Sequence, residues 1–435
     1  MKRRIDADLQ AWRTSEQRKV LLVRGARQVG KTHSVRQLGR SFSHFLEVNF
    51  EEELPVSRFF ESSLNPTGIC ENLHAYFDVP IVPGESLLFF DEIQACPNAL
   101  RALRFFYERM PDLHVVAAGS LLEFALDEIP SFGVGRVTTL FLYPMSFSEF
   151  LEASARSALL EAVGGADADH RLDETLHDQL LGILSTYLLI GGMPAVVSAY
   201  IEHRDVRRCQ LIIDELLTSM RDDFAKYRNR VPASRLEEVF ESAALQAGRK
   251  FKYANISQDI ASRSYKDALE LLRRAGLVYR IHHSSARGFP LGAQLDLRKF
   301  KVLPFDVGIF QRVLGLDLSE HLVSSPSEFV NKGALAEVFA GLELVAHGSP
   351  RLRPQLFYWH REARGSNAEI DYLIQRGDEM LAIEVKSGTT GRMQSLRIFL
   401  QERNPSIGYR VSHENFGRYG EIETLPLYAV HKLVS

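Results

Sequence analysis

One stretch near the start of the chain constrains the fold more than any other. Residues 20–32 read VLLVRGARQVGKT, in which an apolar run predicts a buried strand and a glycine-rich turn leads into a helix. The turn fits G-x-x-x-x-G-K-[ST], whose glycines let backbone N–H groups surround phosphate oxygens. We therefore predict a phosphate-binding loop, with an ordinary glycine-rich turn as the alternative.

The loop residues have distinct expected roles. Lys31 would place positive charge on the β- and γ-phosphates of ATP, and the hydroxyl of Thr32 would bind Mg²⁺. The full set of expected nucleotide contacts is Gly25, Ala26, Arg27, Gln28, Val29, Gly30, Lys31, Thr32 and His33.

A second motif follows at residues 87–92, LLFFDE. Its four apolar residues predict a buried parallel strand that ends in two adjacent carboxylates. Asp91 is the expected Mg²⁺ ligand, and Glu92 is expected to polarise the water that attacks the γ-phosphate. An apolar run followed by Asp-Glu is common by itself. Together with the phosphate loop, however, it predicts hydrolysis of a nucleoside triphosphate.

Composition places the chain among globular proteins. Its 435 residues are 45% hydrophobic and 25% charged, with a net charge of −3. The three cysteines have neither metal-binding nor disulfide spacing, and no apolar run reaches 18 residues. The basic N-terminus lacks the apolar segment of a signal peptide. We expect a cytoplasmic protein that does not enter a membrane.

Strand and helix patterns alternate up to about residue 150, which predicts an α/β domain with a parallel sheet. The expected strands are residues 20–23, 45–50, 87–90, 115–118 and 137–142. Ser120 follows the fourth strand and is a candidate γ-phosphate sensor, or simply the N-cap of a helix. Arg136 precedes the fifth strand and could stabilise transition-state charge in its own or a neighbouring subunit, or be a surface arginine.

Four segments carry a family resemblance: GARQVGKT (25–32), LLFFDEIQ (87–94), AAGSLLEF (117–124) and YPMSFSEF (143–150). Together they resemble the AAA+ ATPases of bacteria and archaea that carry a C-terminal uncharacterised domain. The resemblance spans nearly the whole chain. Ala26 stands where family members often have proline, a change compatible with the loop. The resemblance implies ATP and Mg²⁺ as cofactors and assembly into homo-oligomers.

Residues 151–230 show helical amphipathic patterns and are expected to form a helical lid. Their Gly191-Gly192-Met-Pro194 turn resembles the one that places a proline against adenine in switch-type ATPases. Pro194 is therefore an expected nucleotide contact, and a simple helix break is the alternative.

Residues 231–300 follow a pattern of three helices and a strand that predicts a winged helix. From Arg249 to Lys301 there are 12 Lys/Arg and 4 Asp/Glu, a local charge of +8. That excess favours DNA binding; a structural module with a solvated basic face is the alternative. The expected contacts are Arg249, Lys250, Lys252, Arg263, Lys266, Arg273 and Arg274.

Residues 301–435 contain a D…E-x-K arrangement. Period-2 alternation places Glu369 and Asp371 on one strand face, and Glu384 and Lys386 on one face of the next. If the strands pair, these groups converge, and Glu337 can reach in from a helix. The arrangement resembles the PD-(D/E)xK, restriction-endonuclease-like fold, although Ile370 replaces the proline. It implies Mg²⁺ ligands at Glu337, Asp371 and Glu384, and catalysis by Asp371, Glu384 and Lys386.

The expected fold class is therefore α/β: a P-loop AAA+ sheet with a helical lid, a winged helix and a restriction-endonuclease-like domain. We expect an ATPase whose nucleotide state controls a DNA-binding, nuclease-like C-terminus. A signalling or scaffold switch with an inactive nuclease fold, and a DNA translocase, are the alternatives.

Overall fold

The computed structural model describes residues 1–120, 122, 126, 135–225, 231–257, 262–318, 333–361, 367–388, 393–403, 405 and 407–434. They form two compact units. The N-terminal unit comprises Lys2–Tyr143 and Ser349–Arg353, and the C-terminal unit comprises Met1, Pro144–Gly348 and Pro354–Ser435.

The N-terminal unit is built on a five-stranded sheet in the order β2-β3-β4-β1-β5, in which all neighbours are parallel. This confirms the predicted parallel sheet. The strands are β1 Val20–Arg24, β2 His44–Asn49, β3 Ser86–Asp91, β4 His114–Ala118 and β5 Val137–Phe141. β3 and β4 are buried along their whole length, which explains why their sequences are continuous apolar runs rather than alternating ones.

The helices of this unit are α1 Ile5–Arg13, α2 Lys31–Gly39, α3 Pro66–Phe77 and α4 Pro97–Arg109, with short 3₁₀ segments at Leu54–Phe60 and Ile93–Ala95. The strand order places β1 between β4 and β5, and β3 beside β4. Because parallel strands end at one edge, the segments that follow β1, β3 and β4 share that edge.

The C-terminal unit begins with helices, as expected for the lid segment. They are α5 Phe147–Ala153, α6 Ser157–Gly165, α7 Glu174–Ile190, α8 Pro194–His203 and α9 Val206–Phe224. Ser146 and Glu149 form a capping box at the start of α5, which explains why the helix begins at Phe147. The expected boundary at residues 150 and 151 therefore falls inside α5.

Next come α10 Ala233–Leu245, a 3₁₀ turn at Tyr253–Asn255, α11 Ser262–Arg274, and the antiparallel strands β6 Val278–Ser284 and β7 Leu295–Pro304. The sequence pattern predicts the second helix of this module at residues 256–261, of which residues 258–261 lie outside the described part of the chain. An isolated antiparallel bridge joins Lys250 to Lys301 of β7.

The remaining elements are α12 Val307–Val313, α13 Gly333–His347, β8 Phe357–His360, β9 Glu369–Arg376, β10 Glu379–Val385, α14 Gln394–Arg403, β11 Ile407–Ser412, β12 Gly417–Tyr419 and β13 Ile422–Pro426. The strands join the preceding hairpin in one eight-stranded sheet, ordered β12-β13-β11-β10-β9-β8-β6-β7. β7 crosses the expected boundary at residues 300 and 301, so the last two expected domains share this sheet.

Among the described helices, none is long and apolar enough to cross a membrane. Cys70, Cys96 and Cys209 are buried and carry free thiols.

Candidate nucleotide site and carboxylate cluster

The predicted phosphate loop joins β1 to α2. Its two glycines adopt left-handed backbone conformations, with φ +152° at Gly25 and +99° at Gly30. A Cβ atom on Gly25 would lie 2.1 Å from the carbonyl oxygen of Leu142. Gly25 therefore cannot be replaced without moving backbone, and the motif's first glycine has a packing reason as well as a conformational one.

Lys31 points its ammonium back into the loop. Its Nζ donates hydrogen bonds to the carbonyls of Gly25 (3.0 Å) and Ala26 (2.7 Å), and the residue is 7% exposed. Burial lowers the pKa of Lys31 to about 8, while the charges of Glu92 and Asp91 act in the opposite direction. The loop thus holds a buried cation where the motif requires one.

Thr32 and Asp91 meet across the sheet edge. Thr32 Oγ1 donates a 2.8 Å hydrogen bond to Oδ2 of Asp91, whose Oδ1 accepts from the backbone N–H of Glu92. Burial raises the pKa of Asp91, and the hydrogen bond from Thr32 partly offsets this. A hydroxyl and a buried carboxylate are hard oxygen donors, so this pair fits the Mg²⁺ predicted from the sequence.

Glu92 is fixed by two residues of the same edge. It lies in the left-handed region at φ +45°. Its Oε2 accepts hydrogen bonds from Gln94 Nε2 (2.6 Å) and from the backbone N–H (3.2 Å) and hydroxyl (3.3 Å) of Ser120. Ser120 therefore contacts the expected water-polarising carboxylate. Most of the helix that Ser120 would cap lies outside the described residues.

Gln94 is a part of this site that the motif did not identify. Its side chain packs over Gly119, where an added Cβ would lie 1.9 Å from Oε1 of Gln94. Gly119 thus provides the space that Gln94 needs to reach Glu92. The LLFFDEIQ segment contained this glutamine, but a glutamine two residues after the carboxylates gives no signal by itself.

Arg3 is a second contributor that sequence analysis missed. The residue is 5% exposed, and its guanidinium donates to the carbonyls of Val29 (2.8 Å) and Tyr143 (2.7 Å). It thereby links the phosphate loop to the end of the segment that follows β5. In the sequence Arg3 is one of several basic residues near the N-terminus, so nothing distinguishes it.

Two other expected site residues of this unit, Arg136 and His33, have no contact with the carboxylates at this sheet edge in the hydrogen bonds and ion pairs described above. Arg136 precedes β5 at the amino edge of the sheet, since Val137 pairs with Val20 at the start of β1. The phosphate loop follows the opposite end of β1, and Arg136 instead forms a 2.5 Å ion pair with Glu108. The structure therefore does not bring Arg136 to the loop of its own subunit. His33 is exposed on the first turn of α2.

Pro194 begins α8 in the C-terminal unit, and the glycines before it are tightly packed. A Cβ on Gly192 would lie 2.1 Å from the carbonyl oxygen of Met145, and one on Gly191 would lie 2.3 Å from Oδ1 of Asp306. Asp306 Oδ2 accepts a 2.7 Å hydrogen bond from the backbone N–H of Gly192. Packing explains these glycines, and the contact of Pro194 with adenine remains a prediction.

The expected carboxylates of the C-terminal unit do converge. β9 and β10 pair antiparallel with Ile383 opposite Tyr372, so the same register sets Glu384 opposite Asp371. Asp371 Oδ2 accepts a 2.8 Å hydrogen bond from the backbone N–H of Val385. Glu384 Oε1 pairs with Lys386 Nζ at 2.7 Å.

An unpredicted lysine lies among these groups. Lys301 of β7 is 1% exposed, and its Nζ lies 2.7 Å from Glu337 Oε1, 2.5 Å from Glu369 Oε1 and 3.6 Å from Asp371 Oδ1. We call Lys301, Glu337, Glu369, Asp371, Glu384 and Lys386 the carboxylate cluster. The D…E-x-K pattern could not reveal Lys301, which lies 70 residues earlier (371 − 301) in a stretch we assigned to a basic DNA-binding face.

The cluster has strongly shifted protonation equilibria. Burial raises the pKa of Glu337 to about 8, with Asp371 adding to the rise and Lys301 opposing it. Burial also raises the pKa values of Asp371 and Glu384. For Lys301, burial would lower the pKa, but the surrounding carboxylates outweigh it and hold the pKa above its ordinary value. Carboxylates buried together in this way are typical of functional sites.

Comparison with known families defines the N-terminal unit. Residues 17–151 match the family model described as an AAA domain. This segment is therefore an ATPase-like AAA domain, as its phosphate loop and parallel sheet indicate. Residues 182–320 and 332–429 match two domains of unknown function, DUF8612 and DUF4143.

Individual relatives were also found. The chain is 24% identical over 424 residues to uncharacterized proteins of Mycobacterium bovis and Mycobacterium tuberculosis, an alignment that covers 94% of this chain and 80% of each relative. Among solved structures, a Walker-type ATPase of Pyrococcus abyssi has a TM-score of 0.47 at 15% identity, covering 72% of this chain and 96% of that one. The Aeropyrum pernix Orc1 protein in complex with DNA has a TM-score of 0.29 at 15% identity, covering 74% and 95%.

Proposed function

We propose that this protein is an ATP-hydrolysing AAA+ enzyme whose nucleotide state controls a DNA-binding, nuclease-like C-terminal unit. The observation that carries the ATPase part is the arrangement at one sheet edge. There Thr32 donates to Asp91, while Ser120 and Gln94 hold Glu92. A turn that merely resembled a phosphate loop would have no reason to meet the two adjacent carboxylates at the end of β3, of which Asp91 is buried.

The residues of this edge divide the work of hydrolysis. Backbone N–H groups of the loop and the Lys31 ammonium would hold the β- and γ-phosphates. Thr32 and Asp91 would hold Mg²⁺, which neutralises charge on the transferred phosphoryl group. Glu92 would orient the attacking water, and its contacts with Ser120 and Gln94 would keep the carboxylate in position.

Phosphate release by purified protein tests this assignment. Lys31→Ala is expected to abolish nucleotide binding and turnover, whereas Glu92→Gln is expected to retain binding and lose turnover. Lys19→Ala, a change at a partly exposed lysine just before β1, is the matched control. Undiminished turnover in Lys31→Ala would contradict the proposal.

DNA binding is the second part of the proposal. α10, α11 and the β6–β7 hairpin follow the order of a winged helix, and the bridge from Lys250 to β7 supplies a further short pairing. Four of the expected contacts are exposed: Arg249, Lys252, Arg263 and Lys266. Arg273 and Arg274 both pair with Glu270, so we assign them a smaller share of phosphate binding.

Replacing the exposed basic residues by alanine measures how much they contribute to DNA binding. Replacing Arg263 and Lys266 by alanine is expected to weaken binding to duplexes of any sequence and to reduce the salt dependence, by a slope of about 1 per lost phosphate contact. Unchanged affinity and slope would favour the structural alternative for this module.

The nuclease-like part rests on element order and the carboxylate cluster. α13, three antiparallel strands β8–β10, α14 and the parallel strand β11 follow one another around Asp371 and Glu384. The buried oxygens fit a divalent cation, which would polarise a phosphodiester and its attacking water. Lys386 would orient that water. DNA cleavage with Mg²⁺ or Mn²⁺ that is lost in Asp371→Ala, Glu384→Ala would support this part.

The alternatives give different outcomes in the same assay. A signalling or scaffold switch predicts ATP turnover with intact DNA under both metals. A translocase predicts strong stimulation of turnover by DNA. Homo-oligomer formation, with Arg136 acting on a neighbouring subunit, predicts that turnover per chain rises with protein concentration and that Arg136→Ala removes this rise.

A further inference from the structure

Lys301 occupies one side of the carboxylate cluster. Its ammonium contacts oxygens of Glu337, Glu369 and Asp371, and it is 1% exposed. It also lies 5.3 Å from the centre of the Tyr358 ring, within the range of a cation–π contact. Three carboxylates and an aromatic face therefore surround a single positive charge.

A divalent cation bound to the same Oε1 atoms of Glu337 and Glu369 at about 2.1 Å would lie within about 5 Å of the Lys301 ammonium, which is 2.7 and 2.5 Å from those atoms. The two positive charges would repel each other, so the lysine disfavours a metal ion on this side. Lys301 is part of β7, hydrogen-bonded to β6 in the eight-stranded sheet, so its backbone is not free to withdraw.

The other side of the cluster is different. Glu384 is 3% exposed, and its Oε1 pairs with Lys386. Its Oε2 is buried and has no hydrogen bond of normal length among the described residues. The backbone N–H of Leu396, in the first turn of α14, faces the Glu384 carboxylate and partly offsets the burial that raises the pKa of Glu384. A buried carboxylate oxygen without a full hydrogen bond is costly, and the register of β9 and β10 sets Glu384 opposite Asp371. This oxygen points to a cation position that the protein itself does not fill.

We propose that Lys301 is a built-in substitute for one of two metal ions, so that the carboxylate cluster takes a single divalent cation, held by Asp371 and Glu384. This inference rests on the proposed nuclease-like, metal-binding character of the cluster. Lys301 acts here as a positioning residue for Glu337 and Glu369, and it fixes the number of ions.

Counting bound Mn²⁺ in nucleotide-free full-length protein, by electron paramagnetic resonance and calorimetry, tests the proposal. The double variant Asp371→Asn, Glu384→Gln removes the ligands of the cluster. The difference in bound Mn²⁺ between a protein with and without this double change therefore counts the ions of the cluster. We expect one such ion in the wild type and two in Lys301→Met, in which the freed oxygens of Glu337 and Glu369 become ligands. Lys299→Met, at a more exposed lysine of the same strand, is the matched control and should keep one.

Lys301→Met leaves buried carboxylates without their cation and could fail to fold, so two further variants keep the test decisive. Lys301→Arg retains the charge and Glu369→Gln removes one contact of Lys301; both should keep one ion. Two cluster ions in the wild type, none at all, or one in folded Lys301→Met would overturn the inference. Phosphate release and DNA cleavage are read separately, so a single bound ion without cleavage would contradict the nuclease proposal alone.

Discussion

Thr32 Oγ1 donates a 2.8 Å hydrogen bond to Asp91 Oδ2, across 59 residues of sequence. The contact joins the start of α2 to the end of β3. It sets two oxygen donors side by side next to the Lys31 ammonium. The expected nucleotide and metal sites therefore share one structural element, and a change at Thr32 should affect the metal more than the phosphates.

Removing the Thr32 hydroxyl separates metal binding from phosphate binding. Thr32→Val keeps the shape of the side chain, so we expect binding of metal-free ATP to change little. Affinity for Mg²⁺–ATP should fall about tenfold, which is about 1.4 kcal/mol, because one ligand is lost. Fluorescent-nucleotide titration with Mg²⁺ or EDTA measures both, and Thr32→Ser should restore the wild-type values. Equal losses with and without Mg²⁺ would rule out this role.

Gly119→Ala tests the support of Glu92. The new methyl group would lie where Oε1 of Gln94 is now, so Gln94 must move and Glu92 loses a donor. We expect the rate of hydrolysis to fall about tenfold, with nucleotide affinity unchanged. Gly68→Ala in α3, where an added Cβ meets nothing within 4 Å, is the control. If the rate is unaltered, Gln94 has no part in positioning Glu92.

Arg3→Met tests the link behind the phosphate loop. Methionine preserves much of the apolar side chain but loses the donors to Val29 and Tyr143. Because hydrogen bonds from a charged group contribute about 1.5–3 kcal/mol, we expect ATP affinity to weaken about tenfold or more. Arg4→Met changes the neighbouring exposed arginine and should leave affinity near wild type. Similar losses in both variants would point to general N-terminal charge instead.

Asp306 makes stability depend on pH in a definite direction. Its burial raises the pKa to about 6 from an ordinary 3.8, although backbone N–H groups of Ile309 and Gly192 act against the rise. The folded state therefore holds this proton more tightly than the unfolded state. The resulting stability is fully present below pH 3.8 and is lost as pH rises through about 6.

Comparing wild type with Asp306→Asn isolates this group. Between pH 4 and pH 7, the unfolding free energy of the wild type relative to the variant should fall by roughly 2 kcal/mol. Asp178→Asn, at an exposed carboxylate of α7, provides the comparison. Parallel pH profiles for wild type and Asp306→Asn in chemical denaturation would contradict the prediction.

Local patterns predicted the N-terminal unit well. Each buried strand there is a short apolar run, and the glycines of the phosphate loop have conformations that few other residues adopt. The D…E-x-K pattern likewise anticipated that Asp371 and Glu384 would meet, because alternation along two adjacent strands fixes which side chains share a face.

The missed residues have a common physical cause. Lys301 and Arg3 act through contacts with groups distant in sequence, and each lies among other basic residues that are exposed. Burial, rather than residue type, distinguishes them, and burial depends on the tertiary structure. Gly191 and Gly192 show the converse. Their pattern suggested a ligand, whereas close packing against Asp306 and Met145 is sufficient to require glycine.

Strand β7 spans the boundary between residues 300 and 301, and this limits where the gene can be cut into fragments that fold. A gene fragment that starts at residue 301 would encode a sheet without the first six residues of β7 (295–300) and without its partner β6. Such a fragment would expose an edge strand and be prone to aggregate. Recombination between relatives should therefore be selected against near residue 300, within β7.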